Sequence, residues 1–252
     1  MPLSPARDVG VQSYCFRYFK DNAKVAELTC EIGLDKIELC GVHADFDDPE
    51  AFAKVLAIYK AAGVSVCSIG VQTFTGDEPR ERAWFQCAKL AGAKVITAHF
   101  TVSTFTRAVP VARELCEEFD ISLALHCHGG AMFGGSPDVL SHLLKLGGPR
   151  FGICLDTAWC LQAGPHTGGP LQWIRKTFAR RISSMHYKDF TFDPKGNFTD
   201  VVLGEGALDL PQTIAALEET GFTGPAVLEY EGDEQNPGPA LANCAQRLRE
   251  AR

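Results

Sequence analysis

The chain has 252 residues, of which 46% are hydrophobic and 22% are charged, and its formal net charge is −7. This length is typical of a single (β/α)8 barrel, which needs about 250 residues. The acidic balance and the absence of a Lys/Arg cluster argue against a nucleic-acid partner. No apolar run reaches the roughly 18 residues of a membrane span and the N-terminus has no apolar signal segment, so we expect a cytoplasmic protein without a membrane partner.

The ten cysteines fit the same expectation. None forms a CxxC pair, and Cys40, Cys67 and Cys154 lie within apolar, strand-like runs. This pattern favours reduced core residues over a disulfide framework. Cys127 and Cys160 lack a paired base at a recognisable spacing, which argues against a thiol nucleophile.

Strand patterns and helix patterns alternate along the whole chain, from residue 1 to residue 252. The predicted strands are 9–14, 36–40, 64–69, 94–98, 121–128, 151–156, 182–186 and 225–230. The predicted helices are the segment that contains Val25, Leu28 and Ile32, residues 48–62 and 78–91, the segment of Val111, Leu115 and Phe119, residues 136–147 and 171–178, the segment of Ile214 and Leu217, and the segment of Leu241, Cys244 and Leu248. Eight strand–helix units without a shift in composition predict one domain, an α/β (β/α)8 barrel.

Four of the predicted strands end on a side chain that can bind a metal: His126, Asp156, His186 and Glu229. The residue before each of them is apolar (Leu125, Leu155, Met185 and Leu228). Because successive side chains of a strand face opposite ways, the apolar neighbours can pack against the outer helices while the polar residues point into a shared interior. Mixed imidazole and carboxylate ligands suit Mn, Co, Zn or Fe, and Mg less readily.

Two further residues, His128 and Lys188, lie two positions after one of these strand-end residues and therefore face the same side. His128 could replace His126 as ligand, contact substrate, or bond a backbone carbonyl beside Gly129. Lys188 would project into the barrel mouth, where a lysine can polarise a carbonyl oxygen or move a proton; an outward-facing surface lysine is the alternative. Asp189 is interpreted as an anchor behind the site, and Glu205 as a turn residue.

Three more residues are candidates for substrate binding. Glu38 and His99 end the second and fourth strands, where acid/base chemistry or hydroxyl binding competes with a structural role. Trp159 follows Asp156 by three residues and is interpreted as a pocket wall, because aromatic rings pack well on the C–H faces of sugars. Ordinary core packing is the alternative for Trp159.

These phrases together resemble the xylose isomerase-like barrel superfamily, in particular its sugar phosphate isomerase/epimerase group. The matching phrases are LALHCHGG (123–130), CLDTAW (154–159), HYKDF (186–190), LGEGALDL (203–210) and VLEY (227–230). The resemblance implies one divalent metal held by His126, Asp156, His186 and Glu229, with manganese, cobalt or zinc favoured. It also implies a small carbohydrate or polyol substrate, with Glu229, Lys188 and His126 as catalytic groups, and homodimers are common in the group.

The chain departs from the group at two positions. Ketose 3-epimerases of the group use a glutamate on the fifth strand, where this chain has His126. That change favours proton transfer on one face of the substrate, by isomerisation or by elimination. Members often carry a histidine where this chain has Trp159, which argues against the multi-metal cluster of the endonuclease IV branch.

The sequence therefore predicts a metal-dependent isomerase or epimerase of a sugar, keto-sugar or polyol that works through a metal-stabilised enediolate. A dehydratase or lyase acting on a keto-sugar, keto-inositol or keto-glycoside is the alternative. A sugar-binding or complex-forming subunit without catalytic activity is a third reading.

Overall fold

The computed structural model describes residues 5–129 and 132–251, so Gly130 of the fifth-strand phrase lies outside the described residues. The strands are β1 (Val9–Gln12), β2 (Lys36–Leu39), β3 (Ser65–Phe74), β4 (Val95–Phe100), β5 (Ser122–His126), β6 (Phe151–Asp156), β7 (Ile182–Tyr187), β8 (Asp189–Phe192), β9 (Phe198–Val201) and β10 (Ala226–Leu228). A closed barrel has the order β1-β10-β7-β6-β5-β4-β3-β2, and every neighbouring pair is parallel. The predicted (β/α)8 barrel class is confirmed.

Helices cover the outside of the barrel. They are α1 (Asn22–Glu31), α2 (Pro49–Ala61), α3 (Glu78–Ala91), α4 (Phe105–Phe119), α5 (Pro137–Gly147), α6 (Thr157–Gln162), α7 (Gly169–Gln172), α8 (Leu210–Glu219) and α9 (Gly238–Glu250). The carboxylate of Asp48 accepts hydrogen bonds from the first turn of α2, as the Asp-Pro pair predicts. Gly92 ends α3 in the left-handed conformation with φ 73°. Within the described residues, no helix has the length and apolar character needed to span a membrane.

The apolar residues before the strand ends pack as the alternation predicts. Leu125, Leu155, Met185 and Leu228 are at most 2% exposed and belong to the main hydrophobic core. The polar residue that follows each of them is therefore turned toward the interior of the barrel. This alternation places the candidate site at the carboxyl ends of the strands.

Three segments differ from the sequence-based expectation. β3 continues past Ile69 to Phe74, with an irregular register toward β4 between Ile69 and Gln72. The expected helix at 171–178 is a short α-helix followed by one π-helical stretch, Trp173–Thr177. The polar excursion 191–206 contains most of an antiparallel hairpin formed by β8 and β9, which the sequence analysis missed.

Candidate metal centre

Four side chains from neighbouring barrel strands converge at one point of the mouth. His126 ends β5, Asp156 ends β6, His186 lies near the end of β7, and Glu229 directly follows β10. One nitrogen or oxygen atom from each lies within 4.8 Å of the others. His126, Asp156 and His186 are at most 3% exposed, and the Glu229 side chain is 11% exposed. The strand ends thus bring together the four residues that the sequence singles out as metal ligands.

His186 is the centre of this group. Its Nδ1 lies 2.6 Å from Oε2 of Glu229 and 3.1 Å from Nε2 of His126, and its Nε2 lies 3.0 Å from Oε1 of Glu38. Burial alone would lower the pKa of His186, but the acidic neighbours Cys154, Glu38 and Glu229 raise it well above its ordinary value. The raised pKa favours the protonated form of His186, whose two ring nitrogens face the carboxylates of Glu229 and Glu38.

Asp156 is the member of the group with an open ligand atom. Its Oδ1 accepts a hydrogen bond from the backbone N–H of Trp159 at 2.8 Å and so caps α6. Its Oδ2 is buried without a hydrogen-bond partner among the described residues, and it lies 3.8 Å from Nε2 of His126. Burial raises the pKa of Asp156 to about 7, although the charge of Lys188 opposes this. A buried carboxylate oxygen without a donor is costly, and a bound cation would remove that cost.

The chemistry of the donor set also fits a metal. Burial lowers the pKa of His126 well below its ordinary value, which favours a neutral imidazole with a lone pair on one of its two ring nitrogens. Burial opposes ionisation of Glu229, but the charges of Lys188 and His186 lower its pKa to about 2. A neutral imidazole and an ionised carboxylate are the ligand forms that a divalent ion requires.

Lys188 lies beside this group in a cage of carboxylates. Its Nζ donates a hydrogen bond to Glu231, and it lies 3.6 Å from Oδ2 of Asp200 and 3.8 Å from Oε1 of Glu229. The residue is 2% exposed. Burial by itself would lower the pKa of Lys188, but Glu229, Asp156, Glu231 and Asp200 raise it above its usual range. The surrounding carboxylates thus favour the charged ammonium form of Lys188 beside the mouth.

The sequence analysis missed Asp200 and Glu231. Asp200 lies on β9 and reaches the site only because the hairpin folds back over the mouth; its Oδ2 accepts the backbone N–H of Glu231 at 3.1 Å. No local signal distinguishes Asp200 within the polar segment 191–206. The alternation of side chains along a strand could have indicated Glu231, because it lies two residues after Glu229.

A wall of rings lines the side of the mouth formed by β4, β5 and α6. The rings of His99 and His128 lie 4.6 Å apart, and those of His128 and Trp159 lie 5.2 Å apart. Nδ1 of His128 is 3.3 Å from Nδ1 of His126, and Nζ of Lys188 is 5.6 Å from the centre of Trp159. Burial lowers the pKa of His99 to about 3, so this side of the mouth presents neutral imidazole. The structure brings together all three of these predicted substrate contacts.

Gly129 explains how His128 reaches Trp159. A Cβ at Gly129 would lie 2.0 Å from Oε1 of Gln162 and 2.9 Å from the carbonyl oxygen of Trp159. The chain after β5 can pack this closely on α6 only because residue 129 has no side chain.

Glu38 lies below the mouth rather than at its surface. It is fully buried, and its carboxylate accepts hydrogen bonds from Nε2 of Gln12 at 2.5 Å, from the hydroxyl of Ser68, and from Oγ1 of Thr97 at 3.1 Å. With His186 as a further partner, both of its oxygens are occupied. The structure separates Glu38 from the other predicted substrate contacts.

Two further predicted residues hold the loop beyond the hairpin. Asp189 accepts hydrogen bonds from the backbone N–H groups of Gly204, Gly206 and Leu208. Glu205 forms an ion pair with Arg247, 2.5 Å away, and its side chain is 46% exposed. Asp189 and Glu205 thus use their carboxylates to hold this loop and do not belong to the group of four candidate metal ligands.

The nearby thiols are unsuited to nucleophilic chemistry. Cys127 is fully buried and Cys160 is 1% exposed. Burial raises the pKa of both thiols well above the ordinary value, so they stay protonated.

The family to which the chain belongs follows from a profile comparison. The profile described as "Xylose isomerase-like TIM barrel" matches residues 26–251. The chain is a member of this family, as the resemblance of the strand-end phrases predicts.

One curated relative and two solved structures give the family context. The chain is 30% identical over 140 residues to the rhizopine catabolism protein MocC of Rhizobium meliloti, an alignment that covers 50% of the chain and 42% of the relative. The chain thus spans less than half the length of this relative. A xylose isomerase-like TIM barrel protein from Mycobacterium smegmatis in complex with magnesium has a TM-score of 0.76, at 16% identity, with 99% of this chain and 97% of that chain covered. The 3-keto-D-glucoside 4-epimerase YcjR from E. coli, in its apo form, has a TM-score of 0.74, at 14% identity, with 97% and 99% covered.

Proposed function

We propose that the protein is a divalent-metal-dependent isomerase or epimerase of a small sugar, keto-sugar or polyol. The observation that carries the proposal is the open, buried Oδ2 of Asp156 at the point where His126, His186 and Glu229 converge. The catabolic relative and the keto-glucoside epimerase of similar fold support a carbohydrate substrate.

The ligands in this proposal are His126, Asp156, His186 and Glu229. His186 binds through Nδ1, because Glu38 engages its Nε2. His126 is preferred over His128 as the β5 ligand, since only His126 belongs to the group that includes both carboxylates. The ligand set favours manganese, cobalt or zinc, with magnesium and iron also compatible. When bound, a metal would supply Lewis acidity that stabilises the negative charge of an enediolate.

Lys188 provides fixed positive charge next to the reacting oxygens. Its carboxylate cage keeps the ammonium charged, so it can donate a hydrogen bond to a carbonyl or enolate oxygen and does not act as a base. Removal of one such donor typically lowers the rate by about 10²–10³-fold.

Glu229 combines the roles of ligand and proton acceptor. A carboxylate stabilised by both Lys188 and His186 is a good ligand but a weak base. Its basicity should increase when Lys188 turns from this carboxylate to a substrate oxygen, because Glu229 then loses one of the positive charges that lower its pKa. Proton transfer is thereby coupled to substrate binding.

The remaining predicted contacts divide into two roles. His99, His128 and Trp159 form the wall on which the substrate ring packs. Glu38 orients His186 instead of binding substrate, because its oxygens have no free capacity.

A dehydratase or lyase that uses the same site is the second candidate. The β4–β5 side of the mouth carries neutral histidines, while the carboxylate that can accept a proton, Glu229, lies on the β10 side. This asymmetry favours proton transfer on one face, which serves isomerisation and β-elimination equally well.

The experiment is solvent exchange with metal-loaded protein. Protein reconstituted with Mn²⁺, Co²⁺ or Zn²⁺ is incubated in D₂O with D-fructose, 2-keto-myo-inositol or methyl 3-keto-D-glucoside, and C–H exchange is followed by proton NMR. We expect metal-dependent exchange at the carbon next to the carbonyl of at least one compound. Loss of water or methanol, measured by mass spectrometry, identifies the elimination reaction.

Matched lysine variants provide the control. Lys188→Met should lower the exchange rate by about 10²–10³-fold, whereas Lys195→Met should match wild type because Lys195 is exposed in the hairpin turn. A metal-loaded protein that binds these compounds without exchanging any C–H would contradict the enzyme proposal and support a sugar-binding subunit.

A further inference from the structure

Cys154 lies inside the barrel, one step deeper than the candidate metal ligands. It precedes Asp156 by two residues on β6, so both side chains face the interior, separated by about 6–7 Å along the strand. It is fully buried and forms a small apolar cluster with Val95 and Ala124 that is separate from the main core. The carboxylate at position 156 and the thiol at position 154 therefore lie at two depths of the barrel interior.

His126 and His186, the two histidines of the candidate metal centre, lie close to both Cys154 and Asp156. Cys154 is the register neighbour of His126, and His186 is the register neighbour of Asp156. Sγ of Cys154 and one nitrogen from each of His126 and His186 all lie within 4.8 Å of one another. The three residues are 0–3% exposed. Metal–nitrogen and metal–sulfur bonds of about 2.0–2.3 Å place two donors on one ion at most about 4.4 Å apart, so a small adjustment of these side chains would bring the three donors onto one ion.

We propose that His126, Cys154 and His186 form an alternative metal position, one level below the carboxylates, that selects thiophilic ions such as Zn²⁺, Co²⁺ and Cd²⁺. Thiolate is a soft ligand that favours these ions, whereas Mn²⁺ and Mg²⁺ favour the oxygen ligands of Asp156 and Glu229. The identity of the ion thereby decides the depth at which it binds. Both positions require the same two imidazoles, so one chain holds one ion at a time.

Binding at the lower position exchanges protons for the metal without any redox step. The S–H bond of Cys154 breaks, its proton leaves to the solvent, and the sulfur donates an electron pair to the ion. The imidazoles of His126 and His186 donate lone pairs, and any proton on the donating nitrogen is also released. An ion held there is farther from the mouth than one held by Asp156 and Glu229, so it is withdrawn from a substrate bound at the strand ends.

Cobalt absorption tests the proposal without a substrate. We expect Co²⁺ added to the metal-free protein to produce a thiolate-to-cobalt charge-transfer band in the near ultraviolet. Cys154→Ser should abolish this band and leave cobalt bound by the carboxylate set. Cys160→Ser is the matched control, because Cys160 is an equally buried thiol outside the three-residue group, and it should keep the band.

A second measurement uses the unmodified protein, so a folding defect in Cys154→Ser does not leave the question open. Zinc X-ray absorption of the wild-type protein should show one sulfur at about 2.3 Å together with two imidazoles, and the manganese-loaded protein should show only nitrogen and oxygen. A zinc shell without sulfur, or a cobalt band that survives Cys154→Ser, would overturn the proposal. Either result leaves the carboxylate site intact, whereas a protein that binds no divalent ion at all contradicts the proposed function as well.

Discussion

Two buried carboxylates on opposite sides of the barrel interior have opposite hydrogen-bonding states. Glu38, on β2, is saturated by Gln12, Ser68 and Thr97 and also contacts His186. Asp156, on β6, uses one oxygen to cap α6 and leaves the other without a partner among the described residues. In the proposed metal site, the strands on the Glu38 side supply a group that orients a ligand, and those on the Asp156 side supply the ligands themselves.

The comparison gives a physical criterion for finding the site. Burial of a carboxylate costs free energy unless hydrogen bonds or a counter-ion compensate it. At Glu38 the protein provides that compensation. At Asp156 it does not, which is why we place the cation there and not beside Glu38.

The largest expected effect comes from neutralising the open carboxylate. Asp156→Asn should abolish stoichiometric manganese binding, because it removes one of the four proposed ligands while keeping the shape and the cap of α6. Elemental analysis after reconstitution with Mn²⁺ and dialysis measures this, with about one ion per chain expected for wild type.

The control for that variant is an exposed carboxylate. Asp138→Asn changes the net charge equally, but Asp138 is exposed in the first turn of α5. It should bind metal like wild type. Equal metal content in Asp156→Asn and wild type would remove Asp156 from the ligand set.

A smaller effect is expected from the saturated carboxylate. Glu38→Gln replaces an acceptor by an amide whose NH₂ group faces donors, so His186 loses its fixed orientation. Changes to such supporting groups typically lower metal affinity by about 10–100-fold. Isothermal titration with Mn²⁺ should therefore give weaker binding with unchanged stoichiometry. Unchanged affinity would mean that Glu38 does not orient His186.

The smallest effect concerns Asp200, which like Asp156 and Glu81 has one buried carboxylate oxygen without a hydrogen-bond partner among the described residues. Burial raises its pKa from 3.8 to about 6, against the attraction of Lys188. A raised native pKa contributes stability below pH 4 that is lost as the pH rises through about 6. In metal-free protein, the stability of wild type relative to Asp200→Asn should therefore fall between pH 4 and pH 6.5, on the order of 1 kcal/mol. Urea unfolding across this range measures the difference.

Asp193, in the turn of the same hairpin, should show the opposite dependence of stability on pH. Hydrogen bonds from Asn197 lower the pKa of this exposed carboxyl, so its contribution is present above pH 4 and lost at lower pH. The stability of wild type relative to Asp193→Asn should therefore not fall as the pH rises. If both variants show the same slope, burial does not govern the titration of Asp200.

Much of the barrel and the inner site could be predicted from local patterns. A strand alternates its faces, so apolar Leu155 before polar Asp156 is enough to orient both side chains, and the repetition of this pattern indicates convergence at one mouth. The β8–β9 hairpin could not be predicted in this way, since four of the residues in 189–201 are charged and only short apolar stretches flank its turn. Asp200 consequently had no visible role in the sequence.

By itself, the sequence determined the barrel class and the strand ends at which polar side chains accumulate, because both depend on alternation within single elements. The tertiary structure decided which of those side chains are partners. Glu38 and His99 look equivalent in the sequence, yet one is enclosed by Gln12, Ser68 and Thr97 while the other lines the mouth. Hydrogen bonds between strands distant in the chain make that distinction, since burial and charge depend on every neighbour that packs around a group.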